Sequence, residues 1–281
     1  MPIFQDASVQ DIKRLLELFP ISKLKQAWPD IKGTKDEICY AVADRRDTDA
    51  ISDFIDTNLS CCKQHVYVFS RPNDLTELPN SIGDGERILS KDDLRALFLI
   101  RVRYSVLLRD PLEEAFIEFL WPVRLDITDN NVVVRFIVLQ KNMGAYFDRS
   151  HYVAGRTSEE EDVIAEIAKR YDLSVADLHK GIKKLWDEGF MDSPRAQYKK
   201  PISTASEAMD EEKGIREHNP ELYETLCESP LFRTMFVISP GHGGTEVFFV
   251  DPSKGYLVFP RYSDETGDTD FVISEILRRN Q

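Results

Sequence analysis

IAKRYDLSVADLHKGIKKLWDEGF, residues 167–190, is the stretch on which a reading of this fold turns. With SEEED before it (158–162) and MDSPRAQYKK after it (191–200), it predicts two amphipathic helices separated by a short turn. Ile164, Ile167, Ala168 and Tyr171 form the inward stripe of the first helix, and Leu178, Ile182 and Leu185 that of the second. Leu173 falls in the turn, Ser174 is placed to cap the second helix, and Gly189 ends it. MDSPRAQYKK then reads as a hairpin.

That pattern resembles a winged helix-turn-helix. A short turn fixes the angle between two helices, so the second helix is free to enter a major groove. Lys180, Lys183 and Lys184 then face outward. With Lys169, Arg170, Arg195, Lys199 and Lys200 beside them, they are candidate phosphate or groove contacts. The competing account is an ordinary helix with a solvated lysine face, in a winged helix that contacts only protein.

Working outward, residues 1–70 read as a helical unit. Ser8 with Asp11 precedes the stripe Val9, Ile12, Leu15, Leu16 and Phe19, and Pro20 stops it. Thr34 followed by Glu37 is a capping box for KDEICYAVADR. HVYVFSR (65–71) switches to the two-residue period of a strand. Residues 71–157 begin with a Pro-, Gly-, Asn- and Asp-rich stretch (72–93) that predicts a connecting loop. DDLRALFLIRVRYSVLLRDP predicts a helical start and an extended end. NVVVRFIVLQ is β-branched and strand-like, so 100–147 predicts a small antiparallel sheet. In 201–281, a helix at PELYETLCE precedes a β-meander (RTMFVIS, TEVFFVD, YLVFPRY) and a final helix, DTDFVISEILRRN. The expected class is α+β, with units 1–70, 71–157, 158–200 and 201–281.

Charge is distributed unevenly. The chain carries 36 Lys+Arg against 49 Asp+Glu, a net −13. Residues 201–281 hold 7 basic and 15 acidic groups, whereas 169–200 hold 8 and 5. Phosphate neutralisation dominates nucleic-acid affinity, so any nucleic-acid contact belongs to the middle of the chain and a protein contact to the tail. No run of 18 apolar residues occurs in the sequence, so neither a membrane segment nor a secretory leader is expected. Four cysteines, Cys39, Cys61, Cys62 and Cys227, are too few for a disulfide scaffold and include no CxxC pair. A reducing compartment, cytoplasmic or nuclear, is the expectation.

Several segments share the order of the centromere protein N family. They are LLELFPISKLKQAW, DEICYAVADRR, AISDFIDTNL and HVYVFSR, then VVVRFIVLQKNMGAYF and VIAEIAKRYDLSVADLHKGIKKLW. The resemblance is one of hydrophobic pattern over about residues 8–190. It implies a non-enzymatic protein with a death-domain-like head that binds DNA and a nucleosome, and a C-terminal β-region that pairs with a partner subunit. The chain departs from the family in its acidity. Independently, PISKLKQAWPDIKGTKDEICYAVA is similar to a SAP motif, in which Lys32 and Lys35 around Gly33 would meet phosphate at a helix N-terminus.

Other chemistry-bearing residues have plain structural accounts. PGHGG (240–244) lacks the Lys-Ser/Thr of a phosphate loop and reads as a turn. Cys61, Cys62 and His65 suggest a thiol site, but no third orienting group is evident. Glu159, Glu160, Glu161 and Asp162 complement a helix dipole, and Glu113, Glu114 and Glu118 have no histidine partner. In the tail, Phe236, Phe248, Phe249, Tyr256 and Phe259 alternate along strands. Phe248 and Phe249 must point to opposite faces, so these aromatics are candidate partner contacts along an uncovered strand edge. No cofactor or metal is expected. The leading expectation is a non-enzymatic DNA-associated adaptor that uses the middle segment and the head for DNA and the tail sheet for a protein or a second copy. The alternative is a protein-interaction subunit with no nucleic-acid contact, and a third reading is an enzyme with a dispersed site.

Overall fold

The structure, a computed structural model, describes residues 2–109, 112–139, 151–154, 158–200, 203–209, 214–239, 247–263 and 268–281. Five helices open it: α1 (Pro2–Asp6), α2 (Val9–Leu16), α3 (Ile21–Ala27), α4 (Lys35–Arg45) and α5 (Thr48–Asn58). The expected capping box at Thr34 forms, and the helix start at Ser8 is a capping box too. The Ser8 and Thr34 side chains accept from the amides of Asp11 and Glu37, whose carboxylates accept back from the capping amides. The apolar stripes meet in one cluster built on Ile12, Leu15, Leu16, Phe19, Ile38 and Ile55, with Phe54 between the rings of Phe19 and Trp28.

The rest of the chain builds one sheet. Its strands are β1 (Gln64–Ser70), β2 (Ser81–Ile82), β3 (Gly85–Asp92), β4 (Arg95–Arg109), β5 (Leu112–Ile127), β6 (Asn131–Ile137) and β7 (His151–Ala154). Then come α6 (Ser158–Arg170), β8 (Ser174–Val175), α7 (His179–Asp187), β9 (Met191–Lys200), β10 (Ser203–Ala208), α8 (Ile215–His218) and α9 (Pro220–Glu228). The chain ends with β11 (Leu231–Ile238), β12 (Val247–Asp251), β13 (Tyr256–Phe259) and α10 (Asp268–Asn280). The order across the sheet is β10-β9-β11-β12-β13-β1-β6-β5-β4-β3-β2, with β7 added to β4 and β8 to β1.

Strand alternation gives this sheet two faces. On β6, Val133, Arg135 and Ile137 point to the front, and Val132, Val134 and Phe136 to the back. The helical head covers the front of β3 to β6 through Ile88, Leu97, Leu99, Leu120 and Ile137. α7 and α10 cover the front of β1, β9 and β11 to β13. Val272, Ile273 and Ile276 of α10 are almost wholly buried, each contributing about 1.5–3 kcal/mol. α7 lies close against α10 because residue 181 is glycine. A Cβ there would come within 2.4 Å of the Ile276 carbonyl oxygen, and the Gly181 amide donates to Asn280 at 2.9 Å.

Where the two front clusters meet, the filling is ionic. Arg124 and Arg135 are cross-strand neighbours on β5 and β6, with only 2% and 6% of their surface exposed. Arg124 donates to Asp126 and to Asp270 of α10, each at 3.0 Å, and Arg135 donates to Asp270 as well. Arg95 of β4 carries the network on, bridging Asp126 and Asp56 of α5 at 3.4 Å each.

Several expectations are corrected. The small central sheet and the C-terminal meander are not separate, because β1 pairs with β6 on one side and β13 on the other. The stretch 72–93 is not one loop. Its turn residues close two hairpins, at Gly83-Asp84 between β2 and β3 and at Asp93-Leu94 before β4. The stretch 95–109 is strand throughout.

The winged-helix reading fails on three counts. Ser174 lies in a short strand against β1, and α7 starts after Leu178 instead. MDSPRAQYKK is a single strand, held between β11 and β10. The two helices lie on opposite sides of the sheet: Ile167 of α6 packs with Val134 and Phe136 on the back, and Ile182 of α7 with Val133 on the front. Two inward stripes satisfy the same sequence pattern whether they face each other or the two faces of one sheet. Among the described residues no helix is long and apolar enough to cross a membrane.

Burial alone would raise the Asp270 carboxyl, but the Arg135 and Arg124 guanidiniums outweigh it and hold it below the ordinary carboxylate range. A carboxylate depressed in the folded state adds stability above its unfolded value, about pH 3.9. That contribution is lost as pH falls through the folded value. Asp270→Asn should therefore cost about 2 kcal/mol at pH 7, less than a fully buried pair because Asp270 is partly exposed. Urea denaturation across pH should show the gap from wild type closing below about pH 4. An unchanged gap would contradict the assignment.

Candidate docking face of the sheet

The back of the sheet is covered unevenly, and one lateral row shows this. Phe98, Val123, Phe136, His65, Val258, Phe249, Met235 and Arg195 sit side by side across β4, β5, β6, β1, β13, β12, β11 and β9. Phe98, Val123 and Phe136 are wholly buried under α6 and the segment around Leu75 and Leu78. Val258, Phe249 and Met235 are only half-buried, and Arg195 is exposed. The front of the same strands is closed: Phe236, Phe248 and Phe259 are completely buried and stack in series, with centroids 5.8 and 5.7 Å apart.

A polar cluster marks the border between the covered and open parts. His65 Nδ1 lies 2.9 Å from both carboxylate oxygens of Glu160, and the Tyr67 hydroxyl donates to Glu160 at 2.7 Å. Tyr256 packs on Tyr67 with centroids 4.7 Å apart and meets the His65 ring edge-on. Glu160 sits in the first turn of α6, where the helix N-terminus favours an anion. Burial, then the Glu160 charge, push the Tyr67 phenol far above its ordinary range, and Tyr256 follows for the same reasons. Nδ1 of His65 donates to the carboxylate, which leaves Nε2 directed away from Glu160.

At the outer end the face is cationic and aromatic. The Arg233 guanidinium and the Lys254 ammonium each lie over the Phe232 ring, 5.7 Å from its centroid. Lys254 also pairs with Asp251 at 3.5 Å.

The residues expected to touch nucleic acid do not come together. Lys35 donates to the Glu17 carbonyl at 2.6 Å, at the end of α2, while Lys32 is exposed on the head. Arg170 donates to the Ser81 carbonyl at 2.7 Å, with Lys169 exposed beside it on the back helix. Lys180 and Lys183, on the front helix, donate to the carbonyls of Gln281 and Cys227, with Lys180 and Lys184 exposed and Lys183 partly buried. Arg195 and Lys199 are exposed on the back of β9, and Lys200 lies over the Tyr198 ring.

Of the aromatics expected to meet a partner, Phe236, Phe248 and Phe259 are core residues, which corrects that expectation. Phe249 and Tyr256 remain available on the back. No strand of the meander is an edge either, since β11, β12 and β13 lie between β9 and β1. PGHGG, with His242, lies outside the described residues. Cys61 and Cys62 are buried. Burial pushes the Cys62 thiol well up, and the adjacent Cys61 adds to this. Among the described residues no cluster fit to hold a metal ion occurs.

Glu160 is the residue the sequence reading missed. Its place in an acidic run at a helix start explains it fully as a dipole partner, and 95 residues separate it from His65. A concavity of about 340 Å³ opens on the head over Trp28 and Phe54, and none of the expected site residues lines it. Comparison of the chain with protein-family models, with curated proteins and with solved structures gives no match. The family resemblance therefore rests on hydrophobic order alone.

Glu160→Gln removes the anion that two donors share. It should cost about 1–2 kcal/mol in urea denaturation, and it should bring the Tyr67 phenol back toward its ordinary range in a spectrophotometric titration. An unchanged urea midpoint would contradict the geometry of this cluster.

Proposed function

We propose that this chain is a protein-interaction subunit and that a partner protein docks on the open back of β9, β11, β12 and β13. One observation carries the reading: along a single lateral row, full burial gives way to a half-buried apolar stripe, Val258, Phe249 and Met235, on strands whose front is tightly packed. A rigid sheet with one closed face and one incompletely covered apolar face is a surface prepared for another chain. Aromatic side chains supply contact area at low conformational cost there, and methionine adapts its shape to the partner. The DNA-directed alternative finds less support, since the basic side chains of 158–200 divide between the front, the back and hydrogen bonds to carbonyls.

The test is selection from a displayed random-peptide library on the full chain, with Phe249→Lys as the counter-target. Circular dichroism confirms that the variant is folded, and Val258→Lys serves as a second variant. The expected result is peptides whose binding falls at least about tenfold with either substitution, as for a central contact. Peptides that bind all three proteins equally would place the docking surface elsewhere and overturn the reading.

A further inference from the structure

Arg233 is held in an unusual place. Its φ is +42°, in the left-handed region that glycine favours. The register between β11 and β9 shifts on either side of Met235, so Arg233 belongs to a bulged stretch of the ladder. Bulges re-aim side chains, and strained backbone persists where the surroundings over-determine it. Here the guanidinium is carried over Phe232, with Lys254 on the same ring. Its charge also acts on Tyr256 of the back face. Arg195, opposite Met235, and Lys199 extend the same side of β9. Among the described residues no carboxylate pairs with Arg195, Lys199 or Arg233, whereas Lys254 shares its charge with Asp251. A chain of net charge −13 thus gathers cations around the rings of this open apolar face.

Resting on the docking reading above, we infer that the partner segment is acidic. It presents carboxylates to Arg233, Arg195 and Lys254, and apolar side chains to Phe232 and Phe249. Arginine forks pair with carboxylates in a bidentate manner, and a guanidinium stacked on a ring is already oriented to do so. The apolar floor supplies contact area, and the cations select the sign of the occupant. A glycine at 233 would satisfy the backbone better than arginine does, so the arginine is retained at a cost in local strain.

The experiment uses two peptide libraries of equal apolar content, one with Asp and Glu at the remaining positions and one with Lys and Arg. Both are panned on the full chain, and labelled winners are measured by fluorescence anisotropy against wild type and Arg233→Gly. The inference expects enrichment from the acidic library alone. It also expects affinity to fall about tenfold in Arg233→Gly and to weaken with salt. The melting temperature of Arg233→Gly should be equal or higher, because the left-handed strain is relieved. Winners from the basic library, or acidic winners indifferent to Arg233→Gly, overturn the inference and leave the docking reading standing if they still need Phe249. No Phe249-dependent winner from either library overturns both. A labelled oligothymidine that binds through Arg233 where acidic peptides do not overturns the inference in favour of single-stranded nucleic acid.

Discussion

Two arginines face each other across adjacent strands in the middle of this sheet, almost without water. Like charges directly opposite are destabilising, and burying them adds a desolvation cost. Arg124 and Arg135 persist there because Asp126 and Asp270 lie against both. Asp270 belongs to the C-terminal helix, Asp126 to β5, and Arg95 extends the chain of charges to Asp56 in α5. The first helical unit, the centre of the sheet and the last helix are therefore tied at one point. α10 cannot leave the sheet without taking Asp270 from the buried guanidiniums of Arg124 and Arg135, and the head cannot leave without parting its buried Asp56 from Arg95.

The rest of the front follows from that tie. α10 begins beside the network, where Thr269 also donates to the Ser60 carbonyl. From there it runs over α7 at the close approach that Gly181 permits. Together they close the front of β1, β9 and β11 to β13. On the back, α6 covers the central strands and its Glu160 reaches His65 and Tyr67 at the limit of that cover. Beyond Tyr256 the strands continue without an equivalent helix among the described residues. The asymmetry between the two faces is thus a consequence of where three helices are anchored.

Much of the local structure was legible beforehand. Ser8 with Asp11 and Thr34 with Glu37 named two helix starts, and the meander and last helix fall where their apolar periods place them. What periodicity does not carry is the identity of the covering element. Phe248 and Phe249 are correctly assigned to opposite faces by the two-residue period, but only the position of α7 and α10 decides which is core. The stripes of α6 and α7 are equally consistent with packing on each other, and the sheet running between them is built partly from β1, far earlier in the chain. Glu160 carried no signal beyond an acidic helix start. Gly83 and Asp84 contributed only to a loop reading of 72–93, because flanking strands as short as Ser81–Ile82 leave too little pattern to separate a hairpin from a loop.

The central claim is that β12 has one sealed and one open side, and adjacent residues test it most directly. Single substitutions Phe248→Cys and Phe249→Cys, reacted with a water-soluble thiol reagent under native conditions, report the two faces at one point of the chain. The account predicts fast modification for Phe249→Cys. Phe248→Cys should react only at the rate of global unfolding, over the background set by Cys227. Equal protection of both positions would show the back to be covered and would contradict the account.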